Sequence, residues 1–286
     1  MSAKSVTKEE YQRRLNIVVE YINENLGSEL DLIRLAEVSM FSPFHFHRVF
    51  RAFLGETPGE YITRIRIETA ARLLRYTSLP VEDIACNVGY EVPSSLSKSF
   101  KQFYNISPRE YRNNKNHIIM KPIIETSEMK LRQPRIVEQM PKKVIYIHST
   151  GAYNEQDYGS MFQRLWRHVK EEGLFSAGIE HIGIYHDDPK VTANEKLRTD
   201  VCLVVPKAVS TKGEISIKEI AGGKYAVFTY QGAYDNLSRV YDAIYSQWLP
   251  DSGYELRNVP SFEKYINSPE RTAPEKLKTE IYLPIE

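Results

Sequence analysis

The chain has 286 residues, 42% of them hydrophobic and 26% charged, with a formal net charge of +1. These proportions are those of ordinary globular protein with room for two domains, and they exclude a disordered or fibrous chain. No run of about 18 apolar residues is present to cross a bilayer, and the opening MSAKSVTKEEYQRRLN lacks the apolar core of a secretion signal, so no membrane partner is expected and the expected location is cytoplasmic.

Tyr11, Leu15, Val18, Val19 and Ile22 recur at helical spacing, which predicts a first helix over about residues 7–25, stopped at Asn25-Leu26-Gly27. One pattern then occurs twice. LDLIRLAEVSMFSPFHFHRVF from Leu30 and LPVEDIACNVGYEVPSSLSKSF from Leu79 both read as short helix, tight turn, second helix. Each has a small apolar pair on its first helix (Leu35-Ala36, Ile84-Ala85), a turn (Met40-Phe41, Gly89-Tyr90) and a phenylalanine closing the second (Phe50, Phe100). Pro58 opens a connecting helix, PGEYITRIRIETAARLLRYT, that should hold the two units at a fixed separation. Ser107 and Pro108 are placed as N-cap and first residue of a final short helix, and the polar run 113–117 reads as a linker. Two helix-turn-helix units in one chain can meet successive major-groove faces, about 34 Å apart, without a dimer, so a monomer suffices; the oligomeric state itself is left open.

The overall charge gives such a reader little help, since phosphate neutralisation supplies most of the affinity for DNA. From Asp31 to Lys115 there are twelve Lys/Arg against nine Asp/Glu, only a mild excess. Position therefore matters more than total. Glu37, Glu60, Glu68, Glu82 and Asp83 fall on first helices and connectors, whereas Arg48, Arg51, Lys98 and Lys101 fall on the second helices.

The second half carries another duplication. STGAY (149–153) recurs as YQGAY (230–234), and EKLRTDVCLVV (195–205) recurs as EKLKTEIYLPI (275–285). An amphipathic helix follows each GAY, the first with Tyr158, Met161, Phe162, Leu165, Trp166 and Val169 on one face, the second with Leu237, Val240, Tyr241, Ile244, Tyr245 and Trp248. The expected fold is thus multidomain: an all-α double helix-turn-helix domain (1–115), a linker (116–127), and an α+β domain (128–286) of two pseudosymmetric strand-helix-strand-strand halves with a central cleft.

Residues from about 6 to 112 resemble the DNA-binding domain of AraC/XylS-family transcription regulators. RIRIETAARLLRYTSLPVEDIACNVGYEVPSSLSKSFKQFYNISPREYR carries the likeness. The second half resembles the GyrI-like effector-binding domain through its GAY repeats, PSFEKYINSP and KLKTEIYLPI, and the domain order is similar to that of the Rob subgroup. The resemblance implies a sequence-specific DNA-binding regulator, an activator in the first instance, with double-stranded DNA, RNA polymerase and a small lipophilic or cationic effector as partners. It places groove contacts at Phe44, His47 and Arg48 on one second helix and at Ser94, Ser95, Ser97 and Lys98 on the other. Phe44 also reads as core and His47 as a capping or packing residue. Lys98 stands where Arg is frequent, and lysine cannot make the planar bidentate contact to guanine, so the second unit is expected to hold phosphate more than to read bases.

In the second domain Asp200 and Glu280 are equivalent under the duplication, so their acidity suits a solvated strand face. Glu263 breaks the pattern, because its counterpart is Gly183 while Tyr265 matches Tyr185. A carboxylate present in one half only is the better candidate for effector contact, with Glu280, Tyr282, Tyr185, Tyr265, Trp166 and Trp248 supplying further acid and aromatic surface. Both tryptophans read equally well as helix core. An acid ringed by aromatics suits a lipophilic cation, the kind of site the resemblance implies. Two other readings remain, a hydrolase with Glu263 as general base and a protein-docking module. No nucleophile elbow, phosphate loop or metal spacing is present, so no catalytic residue, cofactor or metal is assigned; His45 and His47 are two apart on a helix, and His181 and His186 point to opposite strand faces. Cys86 and Cys202, one in each half, are read as buried thiols.

Overall fold

The computed structural model describes residues 3–113, 131–176, 178–189, 191–205, 213–257 and 259–286. It divides into two compact units, Met1–Met120 and Lys121–Glu286, and the expected linker at 116–127 lies outside the described residues. The first unit is all helix: α1 (Ala3–Glu24), α2 (Leu32–Ser39), α3 (Pro43–Leu54), α4 (Pro58–Tyr76), α5 (Val81–Asn87), α6 (Pro93–Tyr104) and α7 (Pro108–Asn113). Helix α1 starts four residues earlier than the apolar spacing predicts, since AKSVTKEE contains no helix breaker.

Each helix-turn-helix is set by local chemistry. Asp31 caps α2 by accepting from the Arg34 amide at 2.9 Å. Thr57 and Glu60 form a reciprocal capping box ahead of Pro58, and Ser107 with Glu110 does the same ahead of Pro108. Val18, Ile22, Leu35, Ala36, Phe46 and Phe50 share one core. Leu96 and Phe100 are fully buried at the matching places on α6. Inside α4, the Arg64 guanidinium lies between Glu56 (2.7 Å) and Glu68 (3.0 Å) and over the Tyr61 ring. Glu68 lies on the connecting helix as read, and there it is a buried partner of Arg64.

The two turns solve one problem differently. Both need a left-handed residue, Met40 at φ 56° and Gly89 at φ 80°. The amide after each closes the helix end, Phe41 to the Ala36 carbonyl at 3.1 Å and Tyr90 to the Ala85 carbonyl at 2.8 Å. Met40 is 61% exposed, so its side chain has room. A Cβ at position 89 would lie 2.6 Å from both the Leu26 carbonyl and Arg66, whose guanidinium clamps the carbonyls of Leu26 and Ser28.

The second unit holds β1 (Arg135–Gln139), β2 (Lys142–Thr150), α8 (Tyr158–Glu171), β3 (His181–Tyr185), β4 (Arg198–Val204), β5 (Ser216–Ile220), β6 (Gly223–Gln231), α9 (Leu237–Ala243), β7 (Phe262–Tyr265) and β8 (Lys278–Pro284). A π-helical turn, Ile244–Trp248, continues α9. The strands form one antiparallel sheet in the order β1-β6-β8-β7-β3-β4-β2-β5, which reads the same when the halves are exchanged. Each half opens with a strand beyond those the repeats predict, β1 or β5, and that strand pairs with the other half, β1 with β6 and β5 with β2. The two halves form one continuous sheet. They join edge to edge, β3 beside β7, with Gly183 opposite Glu263.

Helix α8 packs on Ile145, Ile147, Val201 and Leu203, and α9 packs on Ala226, Phe228, Ile281 and Leu283. The helices thus cover the flanking strands on one side of the sheet, with β3 and β7 between them. Val144, Tyr146, Cys202, Val227, Phe262 and Tyr282 form a separate core on the other side. Cys202 is buried as expected, but Cys86 is exposed, because α5 turns it away from buried Ile84 and Ala85.

Met40→Gly should raise the stability of the full chain's helical transition by up to about 1 kcal/mol, as it removes a left-handed side-chain penalty. Gly89→Ala should lower it by about 2 kcal/mol or more, since strain and the clash with Leu26 add. Urea unfolding followed by circular dichroism reads both.

Candidate functional site

Helices α3 and α6 each bury one face and turn the other outward. On α3, Phe46 and Phe50 point into the core, which leaves His47 half-buried and Arg48 and Arg51 exposed. On α6, Leu96 and Phe100 point inward, Ser97 is half-buried, and Ser94, Ser95, Lys98 and Lys101 are exposed. Phe44 lies on the first turn of α3, and its side chain is outside the described residues. The sequence-predicted contacts with described side chains therefore share the outward faces of the two second helices.

The sheet surface between α8 and α9 is built around Glu263. Its carboxyl is 2% exposed and accepts from the Tyr265 hydroxyl at 3.0 Å. The Tyr265 hydroxyl in turn lies 2.8 Å from that of Tyr185. Tyr153 meets the edge of the Tyr185 ring at 4.9 Å, and Tyr234 meets Tyr265 at 5.4 Å. Phe162 of α8 meets Tyr265 edge-on at 6.2 Å. Among the described residues no cation pairs with Glu263, and burial pushes its carboxyl up to about 7, with the hydroxyls of Tyr265 and Tyr241 offsetting part of the rise. Burial likewise pushes Tyr185, Tyr241 and Tyr265 well above their ordinary value and Tyr234 up to about 12, so these phenols stay neutral donors.

The structure brings together only part of the expected effector set. Glu263, Tyr265 and Tyr185 converge. Trp166 lies on the flank of α8, where its indole donates to His181 at 2.9 Å and stacks on Phe175. Trp248 packs into the core under α9, edge-on to Phe228 and stacked on Tyr254. Glu280 and Tyr282 lie on the opposite face of the sheet, because register sets Glu263 against Ile281 and Lys264 against Glu280. There Glu280 pairs with Arg135 at 2.6 Å and Tyr282 stacks on Phe262. Sequence reasoning missed Tyr153 and Tyr234 and gave Tyr158, Phe162 and Tyr241 only to helix packing. The repeated GAY was the available signal, for Tyr153 and Tyr234 are its tyrosines.

Asp200 overturns the expectation of a solvated strand face. It is 1% exposed, and its carboxylate accepts from His148 Nδ1 and His186 Nε2, each at 2.6 Å, and from Lys218. Burial alone would raise this carboxyl, but Lys218 and the two imidazoles hold it well below the usual range. Burial lowers His186. The cluster lies on the face away from Glu263, as Asp200 and Cys202 alternate with Val201 under α8.

Residues 132–286 match the family described as GyrI-like small molecule binding domain, and residues 35–114 match a helix-turn-helix domain family. The chain belongs to the GyrI-like family and carries an AraC-type DNA-binding domain ahead of it. It is 34% identical over 123 residues to the probable transcriptional regulator YgiV of Escherichia coli, which covers 42% of this chain and 76% of that protein. It is 40% identical over 95 residues to the transcriptional activator AarP of Providencia stuartii, covering 33% and 70%, and 32% identical over 102 residues to the regulatory protein SoxS of Salmonella typhimurium, covering 36% and 95%. These relatives are transcriptional regulators, and so is this chain. No helix among the described residues is long and apolar enough to cross a membrane.

Asp200→Asn should destabilise the sheet unit by about 3–5 kcal/mol, because it strips a buried cation of its counter-charge. Glu280→Gln, at the equivalent position beside mostly exposed Arg135, should cost less than about 1 kcal/mol. In a Glu263→Gln background, where the raised carboxyl no longer adds stability as it protonates below about 7, acid should weaken the unit in two stages. The depressed His186 contributes stability that is complete above the unfolded imidazole value of about 6.5 and lost as pH falls below it, and Asp200 adds a loss below about 3.9. Thermal melts of that full-length variant from about pH 8 down to about pH 2.5 resolve both stages.

Proposed function

We propose that this regulator activates transcription by inserting α3 and α6 into adjacent major grooves, while its GyrI-like unit binds a lipophilic cation at Glu263. The buried Glu263 carboxyl among tyrosine rings, with no cationic partner among the described residues, carries the effector reading. An ionised carboxylate is costly in such a place, and an arriving cation both neutralises it and meets aromatic faces. A neutral ligand gains nothing from that charge. The outward faces of α3 and α6 support the DNA reading, with His47, Arg48 and Arg51 as base and phosphate contacts and Ser94, Ser95, Ser97, Lys98 and Lys101 mainly on phosphate. In this reading residues 1–115 read DNA and 128–286 sense the effector, RNA polymerase is the downstream partner, and the protein works in the cytoplasm where operator and polymerase are found.

A second reading draws on the same carboxyl. A group poised near neutrality and within reach of hydroxyl donors also has the properties of a general base acting on water. Turnover of a hydrolysable ligand, absent in Glu263→Gln, would favour it over sensing.

Affinity for tetraphenylphosphonium should fall roughly tenfold per pH unit below about 7 and level off above it, because the cation binds the ionised carboxyl. Glu263→Gln should weaken binding by about 2 kcal/mol or more and flatten that dependence. Calorimetric titrations at four or so pH values check both; tight, pH-independent binding by the glutamine variant overturns the effector reading. In operator titrations across salt, Arg48→Ala should lose about 1–3 kcal/mol, and Lys101→Ala should reduce the salt slope by about 1.

A further inference from the structure

Gly183 and Glu263 occupy equivalent positions in the duplicated halves and face each other across the β3–β7 ladder. The glycine is as informative as the acid. A Cβ built on Gly183 would lie 2.6 Å from the Tyr265 hydroxyl oxygen, 3.2 Å from the Tyr185 ring and 3.3 Å from the Tyr185 hydroxyl. Tyr265 therefore lays its hydroxyl into the volume that a side chain at 183 would fill. From there it donates to Glu263, while the Tyr185 hydroxyl, 2.8 Å away, supplies its own hydrogen bond.

We propose that Gly183 is a positioning residue of the effector site: by leaving the place opposite Glu263 empty, it lets Tyr265 deliver its hydroxyl to the carboxylate that receives the cation. This rests on the effector reading above. A clash at the end of a side chain is usually relieved by a small swing. Here the ring of Tyr265 also contacts the rings of Tyr234 and Phe162, which resist a sideways swing, so a hydroxyl pushed from position 183 is displaced from Glu263. Loss of that donor disfavours the ionised carboxyl. Among the described residues, the other titratable groups facing Glu263 are also tyrosines: Tyr158 from α8, Tyr185 from β3, Tyr234 from the turn before α9 and Tyr241 from α9. All are pushed above the ordinary phenol value, so Glu263 alone among them titrates near neutrality. Lys264, next in sequence, pairs with Glu180 on the other face of the sheet.

The test is a double-mutant cycle on the full chain, with the Glu263 carboxyl followed by carbon-13 NMR and tetraphenylphosphonium affinity followed in parallel. Gly183→Ala and Tyr265→Phe should each raise the carboxyl midpoint by about one pH unit. Affinity in Gly183→Ala should be about fivefold weaker at pH 7 yet within about twofold of the parent at pH 9.5, where the carboxyl is ionised in both. The combined variant should titrate like Tyr265→Phe alone, because the atom that the new methyl displaces is already gone. A Gly183→Ala protein that folds only when Tyr265→Phe is also present supports the same clash. An unchanged midpoint in Gly183→Ala, or full additivity in the combined variant, overturns the proposal. Loss of cation binding in Glu263→Gln alongside an unchanged Gly183→Ala midpoint would sink this role and keep the effector site; retained binding in Glu263→Gln would sink the site, while the midpoints still report on Gly183.

Discussion

The antiparallel pairing of β3 with β7 decides which chemistry the second unit can perform. It fuses two half-sheets into one and sets Gly183 opposite Glu263 and Ile182 opposite Lys264. Side chains alternate along a strand, so a one-residue slip would exchange the faces. Glu263 would then share a surface with Glu280, and Lys264 would enter the tyrosine cluster. Register is held from outside as well as inside, since β1 and β5 each cross to the other half and tie its outer strand. The exchange makes each half incomplete without its counterpart.

That rigid frame tolerates two buried acids because they are treated in opposite ways. Asp200 has two imidazoles and an ammonium around it, and Lys218 also lies over the Tyr146 ring at 4.7 Å. Its desolvation is offset inside the protein, which suits a fixed structural element. Glu263 has hydroxyl donors but no cation among the described residues, so much of its desolvation stays uncompensated. Under the proposed reading this uncompensated part is the source of selectivity, for a cation can relieve it and a neutral molecule cannot.

Much of this was legible in the sequence, and what was not has a common cause. The apolar positions Phe46, Phe50, Leu96 and Phe100, the helix-opening Pro58 and the cap at Ser107 place the helix-turn-helix elements, because helix periodicity and helix starts are local. Glu263 stood out against Gly183 through the duplication alone. Asp200, Glu280, Tyr282 and Trp248 did not resolve, since alternation says that two residues share a face but not which face lies under the helices. That depends on non-local register. The strands β1 and β5 were invisible for the same reason, being short segments whose partners lie in the other half. The GAY tyrosines were readable in principle: a motif repeated 81 residues apart placed Tyr153 and Tyr234 against Tyr185 and Tyr265.

In both units the fold comes from what the repeats share, and the proposed function comes from where they diverge. Phe50 and Phe100 are alike and buried, while the outward residues differ, His47, Arg48 and Arg51 against Ser97, Lys98 and Lys101. Arginine matches guanine with two fixed donors and lysine does not, so under the proposed reading the divergence separates reading from gripping within one scaffold. The second unit follows the same logic. Two glutamates at 183 and 263 would set like charges directly across a ladder, which is destabilising, and two glycines would leave no acid for a cation. One of each gives a single carboxylate and the empty place beside it into which a tyrosine hydroxyl fits.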